Sequence, residues 1–459
     1  MTDLSRNEAA ATDLPRTGFP RVLERLRGLA DNRLWTSSAA AFFVLVSGAG
    51  VSYVAQVMTA RIVGPEGFGL YMLAVAWMVM LATLSTLGLH VSLLRLIPTY
   101  SARKDWPAMK GVIRFALLRV GSAGLFVAAC ALTVTLAVDL DRQHEATLLI
   151  ALAASPLVAM QLVGAAVVRA FGGVVSALAP ERLGRDSIAV AVLAALVGLG
   201  LAPATAPTAS IGMMVSGIAI LALILVLAWR YRPAELDAAL PTTAHADWLR
   251  PALPLTVIMG ADLVMARSGV IVLGLFGDAR GAGIFAVAFS LSAMTALPRM
   301  AVAAAFAPTV ASLHAQGDRA GLQALTARAA RLSLAGAFCV GLPLLVALPA
   351  LLGFFGPEFI DGLACAAVLM AAQLVAAAAG PQQHLMTMTG REKAGAAMHA
   401  GGALIGLALC FALTGPFGIL GTAVAIATGV VVWNLAMAWF VFARLGLRPG
   451  LLAASAAFS

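Results

Sequence analysis

Five charged residues stand inside long apolar stretches of this 459-residue sequence and are the first candidates for chemistry. They are Asp262, Arg95, Arg119, Arg267 and Arg299. A charge near the centre of a bilayer costs about 2.5–3.5 kcal/mol on insertion scales, so such residues face a cavity or a partner. Asp262 and Arg267 lie about 140° apart around a helix and need not pair. At least three arginines therefore lack an acidic partner there, and an anionic ligand would supply the missing negative charge.

Polar residues in the same stretches form a second group of candidates. Tyr53 and Gln56 carry groups that hydrogen-bond a polar ligand, although hydrogen bonds between helices explain them equally well. His90 is either a packing residue or a proton relay, and Asp262 is either an ion-pair partner or a cation-coupling site. Arg95 lies near the end of its stretch, where its side chain can also extend to the membrane surface.

Motifs of covalent catalysis, nucleotide hydrolysis and metal binding do not appear in a suitable context. The sequence has no nucleophile elbow, HExxH motif, P-loop or dinucleotide fingerprint, and its four cysteines form no CxxC pair. We therefore expect no enzyme, no cofactor and no metal site. The formal charge of +9 comes from basic residues scattered through short loops, so nucleic acid is not an expected partner.

Membrane helices must position the candidate residues. The chain is 61% hydrophobic and 11% charged, whereas soluble domains have about 45–50% apolar and about 25% charged residues. Apolar runs of about 20 residues, long enough to cross a bilayer, recur from Ser38 to Arg444. They predict an all-α polytopic membrane protein with about twelve transmembrane helices. The predicted helices are 38–60, 70–97, 112–138, 146–168, 187–201, 208–229, 251–276, 282–310, 332–352, 359–380, 394–413 and 418–443.

The basic residues of alternate loops orient these helices, because cytoplasmic loops retain Lys and Arg. With the N-terminus inside, 23 basic residues fall on the inner side and only Arg61, Arg142 and Arg280 on the outer side. We therefore predict a multi-pass protein of the cytoplasmic (inner) membrane with both termini cytoplasmic. Every predicted outer loop is short, which argues against a membrane polymerase or ligase.

The same topology predicts the domain organisation. Two six-helix lobes are expected, flanked and joined by polar segments, of which the first contains an amphipathic interfacial helix. The segments are a cytoplasmic leader at 1–37, the N-terminal lobe at 38–229, a cytoplasmic linker at 230–250, the C-terminal lobe at 251–443 and a cytoplasmic tail at 444–459.

A short segment appears once in each predicted lobe. Arg61–Tyr71 recurs as Leu275–Phe285, and each copy reads Gly, polar turn, Gly, apolar, aromatic. Six helices per lobe give both copies the same orientation, which indicates two parallel repeats related about the membrane normal. The first copy, extended to Ala60, resembles the signature of the polysaccharide transporter family, flippases of the multidrug/oligosaccharidyl-lipid/polysaccharide exporter (MOP) superfamily. The residues that carry this resemblance are Gly64, Pro65, Glu66, Gly67 and Gly69, and by themselves they indicate only a turn between helices.

The resemblance implies a V-shaped pair of six-helix lobes around a central cavity that opens alternately to each side. Its cargo would be a polyprenyl-pyrophosphate-linked oligosaccharide, the repeat unit of an O-antigen of lipopolysaccharide, a capsule or an exopolysaccharide. Arg267 and Arg299 would hold the pyrophosphate, and Arg95, Gln56 and Tyr53 would complete the substrate site. Membrane lipids and a glycan polymerase or export machinery would be the further partners.

Two other functions remain open from the sequence. A cation-coupled multidrug or metabolite exporter of the same superfamily would typically carry an essential carboxylate in the N-terminal lobe. The six helices predicted there contain no mid-membrane Asp or Glu, which favours the lipid-linked cargo. A non-transporting scaffold for glycan assembly is the other alternative, and the arginines inside the apolar stretches argue against it.

Overall fold

A computed structural model describes residues 32–242, 248–249 and 252–450. The predicted leader up to residue 31 and the end of the predicted tail, 451–459, lie outside the described residues, and with them most of the expected amphipathic helix. The division into leader, lobes, linker and tail stays a prediction. Below, the first half is residues 32–231 and the second half is residues 252–450.

Helices make up all the regular secondary structure in the described part of the chain. The α-helices are α1 Asn32–Ser85, α2 Leu89–Ala102, α3 Trp106–Ala137, α4 Arg142–Ala170, α5 Val174–Ala179, α6 Arg185–Gly198, α7 Ala206–Tyr231, α8 Glu235–Ala238, α9 Leu253–Leu275, α10 Ala279–Met294, α11 Leu297–Ala315, α12 Arg319–Gly353, α13 Leu363–Ala379, α14 Gln382–Met388 and α15 Glu392–Phe440. A 3₁₀ turn at Pro357–Gly362 precedes α13, and π-helical turns lie at Pro180–Gly184 and Val441–Leu445.

Seven of the described helices are long and apolar enough to cross a membrane, or up to eight if the bent pair α10 and α11 is one span. This confirms the prediction of an all-α polytopic membrane protein, whereas the count of twelve is not fully confirmed. Two of the seven are unusually long: α1 has 54 residues and α15 has 49. At 1.5 Å per residue each exceeds about 70 Å, more than twice the thickness of a bilayer core. Each is broken at a glycine with positive φ, Gly64 at 76° and Gly418 at 55°.

The predicted start of the fifth helix, at residue 187, is wrong. Pro180 and the charged residues after it resemble a cytoplasmic loop, but the backbone stays helical from α5 through the π-turn into α6, with Pro180 at φ −58° and ψ −43°. Proline is tolerated there because neighbouring helices in a membrane bundle satisfy the freed backbone groups. The consequence is that Glu181, Arg182, Arg185 and Asp186 lie on a helix inside the bundle.

The two halves pack together where the repeated segments cross. A Cβ added to Gly69 would lie 1.7 Å from the carbonyl oxygen of Ala279, and one added to Gly283 would lie 3.0 Å from Gly69 Cα. Small residues allow such close helix contact in membranes. Gly69 and Gly283 occupy equivalent positions of the two repeats, and equivalent positions meet at a pseudo-twofold axis. The crossing therefore brings the two copies of the repeated segment into contact, and their parallel relation about the membrane normal stays a prediction.

Candidate functional site

Two adjoining cavities, of about 240 and 420 Å³, lie between the halves. Helices α1, α6, α9 and α10 contribute to the walls of both, together with the π-turn before α6. The residues that line both are Ser52, Gln56, Arg182, Arg185, Asp186, Arg267 and Ser290. We call the joint space the central cavity, and its volume falls in the range of ligand sites in proteins.

Three residues predicted for the substrate site lie in this wall. Gln56 on α1 and Arg267 on α9 line both cavities, and Tyr53 on α1 lines the larger one. The Tyr53 hydroxyl donates to the carbonyl oxygen of Leu351 at 2.8 Å. The structure thus brings these three together, and their contact with a substrate stays a prediction.

Four charged residues of the wall were assigned from the sequence to a cytoplasmic loop. Arg185 Nε donates to Asp186 at 3.2 Å, and the Asp186 carboxylate also accepts from the Ser52 hydroxyl of α1. Glu181 and Arg182 lie one turn earlier and line the larger cavity. Glu181 and Asp186 therefore bring carboxylates to the cavity on a helical segment that the sequence analysis left outside the predicted helices. The four-residue spacing of Glu181 and Arg185, typical of one helix face, was the available signal.

The central cavity carries more positive than negative charge. Three arginines, Arg182, Arg185 and Arg267, face two carboxylates, Glu181 and Asp186. Asp186 already holds Arg185 and Ser52, whereas no described carboxylate lies within 4 Å of Arg182 or Arg267. Two guanidinium groups are thus free to bind an anion. Arg267 is partly buried, which strengthens such binding, whereas Arg182 is exposed.

Contacts between the halves close the cavity at the end that holds the Gly64 turn. Arg61 donates from Nε to the carbonyl oxygen of Phe354 at 2.8 Å and from Nη2 to that of Gly353 at 3.2 Å. The Phe68 ring of α1 packs on Phe355 and Phe359, with ring centroids 6.1 and 5.9 Å apart. Together with the Gly69 crossing, these contacts form a gate between the halves.

The signature turn is part of this gate. Gly64 takes the positive φ that breaks α1, and Pro65 begins the next helical turn, a position that suits proline. Glu66 is exposed, and Gly67 lies against Val63, whose Cβ is 3.3 Å from an added Cβ. The turn predicted from the sequence is therefore present, and Gly69 adds the helix crossing, which sequence reasoning missed.

Arg299 does not lie in the wall of the central cavity. It lines a smaller pocket in the second half, formed by α11, α14 and α15, together with residues that include Gln382, His384, Trp433 and Asn434. We call this the second pocket. Met300 lines both it and the central cavity, so the two are neighbours. The prediction that Arg267 and Arg299 share one anion site is therefore not supported by their positions.

Asp262 pairs with a residue that the sequence did not single out. His399 Nε2 on α15 lies 3.0 Å from the Asp262 carboxylate on α9, outside hydrogen-bond geometry, and the imidazole packs on Trp433 with centroids 4.6 Å apart. The Asp262 side chain is 59% exposed and that of His399 only 4%. Ala266, one turn along the same face of α9, lines the central cavity, so Asp262 faces the same side.

The last two predicted residues, His90 and Arg95, line neither the central cavity nor the second pocket. Both are on α2, where His90 is buried with Nδ1 lacking a hydrogen-bond partner and Arg95 is exposed. The exposure of Arg95 is consistent with a side chain that extends to the membrane surface.

The helical fold is similar to that of solved transporters of the MOP superfamily. An inward-facing multidrug resistance transporter of the MATE family matches with a TM-score of 0.71 at 14% identity, over 91% of this chain and 99% of that one. An outward-facing conformation of a MATE family transporter gives 0.61 at 15% identity, over 89% and 94%. A MOP superfamily transporter from Pyrococcus furiosus, described as having a binding pocket of reverse polarity, gives 0.62 at 13% identity, over 88% and 93%. At such identities the likeness establishes the fold alone.

Within that class the sequence identifies the family. The model of the polysaccharide biosynthesis protein family matches residues 34–314, more than half of the chain. The protein belongs to this family, and the resemblance seen in the signature turn is confirmed. No curated protein is significantly similar to the sequence.

Proposed function

We propose that the protein is a flippase that moves a polyprenyl-pyrophosphate-linked oligosaccharide across the cytoplasmic membrane by alternating access. The observation that carries this proposal is the central cavity, in which Arg182 and Arg267 have no ion-pair partner among the described residues. The pyrophosphate would bind these guanidinium groups, while Gln56, Ser52 and Ser290 offer hydrogen bonds to sugar hydroxyls. The polyprenyl chain would remain in the surrounding lipid.

The closed gate indicates which half of the cycle the structure represents. In the predicted topology the Gly64 turn lies on the outer side, so the gate seals the cavity from the outside and the cargo loads from the cytoplasmic leaflet. Rocking of the halves would break the Arg61 and Tyr53 contacts and open the other side. The protein performs no covalent chemistry in this mechanism, and a glycan polymerase or export machinery would receive the cargo.

A transmembrane gradient of protons or of another cation would supply the energy for directional transport. Asp262 is the coupling candidate because it is exposed beside the cavity and contacts the buried His399 of another helix. A cation bound at the pair would change its net charge and thereby the interaction between α9 and α15.

A cation-coupled exporter is the second candidate, and the structure gives it a specific argument. Asp186 and Glu181 place carboxylates in the cavity of the first half, where the sequence predicted none. A small organic cation would bind Asp186 only by displacing Arg185 and Ser52. Glu181 has no such partner among the described residues, but three arginines line the same cavity and repel a cation, which favours the anionic cargo.

Depletion of the protein in living cells separates these functions. A flippase predicts that lipid-linked oligosaccharide accumulates on the cytoplasmic leaflet, with no change in ethidium retention. An increase in the ethidium retained by the cells, without accumulation of lipid-linked oligosaccharide, would support the exporter instead. Normal glycan export by a membrane-inserted Arg182→Gln, Arg267→Gln double variant would support a scaffold, and it would remove the proposed anion site.

A further inference from the structure

The second pocket contains several polar groups that no protein atom satisfies. Asn434 and Gln382 are 1% and 2% exposed, and the side-chain oxygen of each lacks a hydrogen-bond partner. Their amide nitrogens are occupied, donating to Val430 and Ala379. Arg299 Nε is also buried without a partner. Leaving such groups unpaired costs about 1–3 kcal/mol each, so the pocket is arranged for a ligand that both donates and accepts hydrogen bonds.

The pocket also carries the positive charge of Arg299 and has an aromatic wall. Arg299 and His384 line it with Gln383 and Trp433, and no carboxylate does. Asp262, on a neighbouring helix, interacts electrostatically with Arg299 from outside the pocket lining and is also in contact with His399. An anionic group is therefore favoured beside Arg299, and the Trp433 ring offers a surface for the C–H face of a sugar.

The pocket is too small for a whole pyrophosphate, and its polarity disfavours an ionised phosphate edge. Its volume of about 40 Å³ corresponds to about three water molecules at roughly 10–15 Å³ each. A pyrophosphate has about nine non-hydrogen atoms and only acceptor oxygens when ionised, which would face the free oxygens of Asn434 and Gln382. A carboxylate with an adjacent hydroxyl is smaller and supplies both an anion for Arg299 and a donor for the amide oxygens.

We propose that the second pocket binds the carboxylate-bearing edge of an acidic sugar, such as a uronic acid residue of the transported oligosaccharide. This inference rests on the proposed function and adds a subsite to it. Met300 lies between the pocket and the central cavity, so a glycan whose pyrophosphate is held at Arg267 has a neighbouring subsite for one of its sugars. Arg299 then selects among glycans instead of holding the lipid phosphate.

Calorimetric titration of the full chain in nanodiscs tests the assignment, with D-glucuronate, D-glucose, acetate and inorganic pyrophosphate as probes. We expect glucuronate to bind at least about tenfold more tightly than glucose or acetate, because only glucuronate combines the carboxylate with hydroxyls. Arg299→Gln should reduce glucuronate affinity to that of glucose and leave pyrophosphate binding unchanged, which also shows that the variant folds. Asn434→Leu should weaken both sugars.

The matched variant Arg267→Gln distinguishes the two proposals. It should weaken pyrophosphate binding and leave glucuronate binding unchanged. Equal binding of glucuronate and acetate, no measurable sugar binding, or full glucuronate affinity in Arg299→Gln would overturn the acidic-sugar subsite. None of these three results would affect pyrophosphate binding. The proposed flippase function is therefore tested independently of the subsite.

Discussion

Replacing Gly69 by alanine should open the gate between the halves. An added Cβ would lie 1.7 Å from the carbonyl oxygen of Ala279, a backbone atom that cannot rotate away. Reaching even a tight contact of 3.0 Å requires the helices to separate by about 1.3 Å, the difference of these distances. Overpacking of this kind costs about 1–3 kcal/mol, which corresponds to a roughly 5- to 150-fold shift in a conformational equilibrium. Because a state with an open gate would lack these contacts, the added Cβ should shift the equilibrium towards it.

Thiol labelling from the outside measures this shift. In a background with Cys130 and Cys339 replaced by serine, since both are exposed, Ser290→Cys places a single accessible thiol in the cavity wall. A membrane-impermeant maleimide added outside should label it at least about fivefold faster in Gly69→Ala. Gly50→Ala, on the same helix, is the matched control because an added Cβ there meets nothing within 4 Å. Unchanged labelling in Gly69→Ala, or an equal increase in Gly50→Ala, would refute the closed gate.

Two further predictions concern the coupling pair and a helix cap. Asp262→Asn and His399→Gln should each remove the acceleration of transport by an imposed proton gradient, while transport without a gradient continues. The control is His144→Gln, which changes an exposed Asp–His pair. If both Asp262→Asn and His399→Gln still respond to the gradient, the coupling assignment is contradicted. Asp278→Ala should lower stability by about 0.5–2 kcal/mol, measured by thermal unfolding in detergent, because Asp278 accepts from the Gly281 N–H at 2.7 Å. An unchanged midpoint would contradict that capping role.

The sequence predicted the membrane helices because composition and hydrophobic run length respond directly to the bilayer. Three residues of the cavity wall were predicted because they are charged or polar residues within those runs. Burying such a side chain in a membrane is costly wherever it occurs. Tyr53, Gln56 and Arg267 were found in this way, and all three lie in the wall of the central cavity.

Glu181, Arg182, Arg185 and Asp186 could not be found by the same reasoning. They lie in the π-helical turn and at the start of α6. Pro180 and the charges after it have the local composition of a loop, and only the surrounding bundle keeps this segment helical. Gly48 shows the tertiary constraint, since a Cβ there would lie 2.8 Å from Arg182 Cβ. Close approach of α1 to this segment is a property of the packed bundle.

Long-range pairs were also beyond local patterns. His399 meets Asp262 from a helix far away in the chain, and neither residue's neighbours encode that contact. The separation of Arg299 from Arg267 depends on how α11 crosses the bundle relative to α9. The crossing at Gly69 is a contact between the two copies of the repeated segment. The sequence indicated that the copies exist but not that they contact each other.

Flipping of a fluorescent polyprenyl-pyrophosphate-linked disaccharide in proteoliposomes tests the central claim most directly. Wild-type protein should expose lipid from the inner leaflet to dithionite, and Arg267→Gln should slow this at least about tenfold, since a hydrogen bond to a charged group contributes about 1.5–3 kcal/mol. Arg119→Gln, an exposed intramembrane arginine over the Phe115 ring, should retain the wild-type rate. No flipping by the wild type, or equal rates in all three proteins, would contradict translocation through an arginine-lined central cavity.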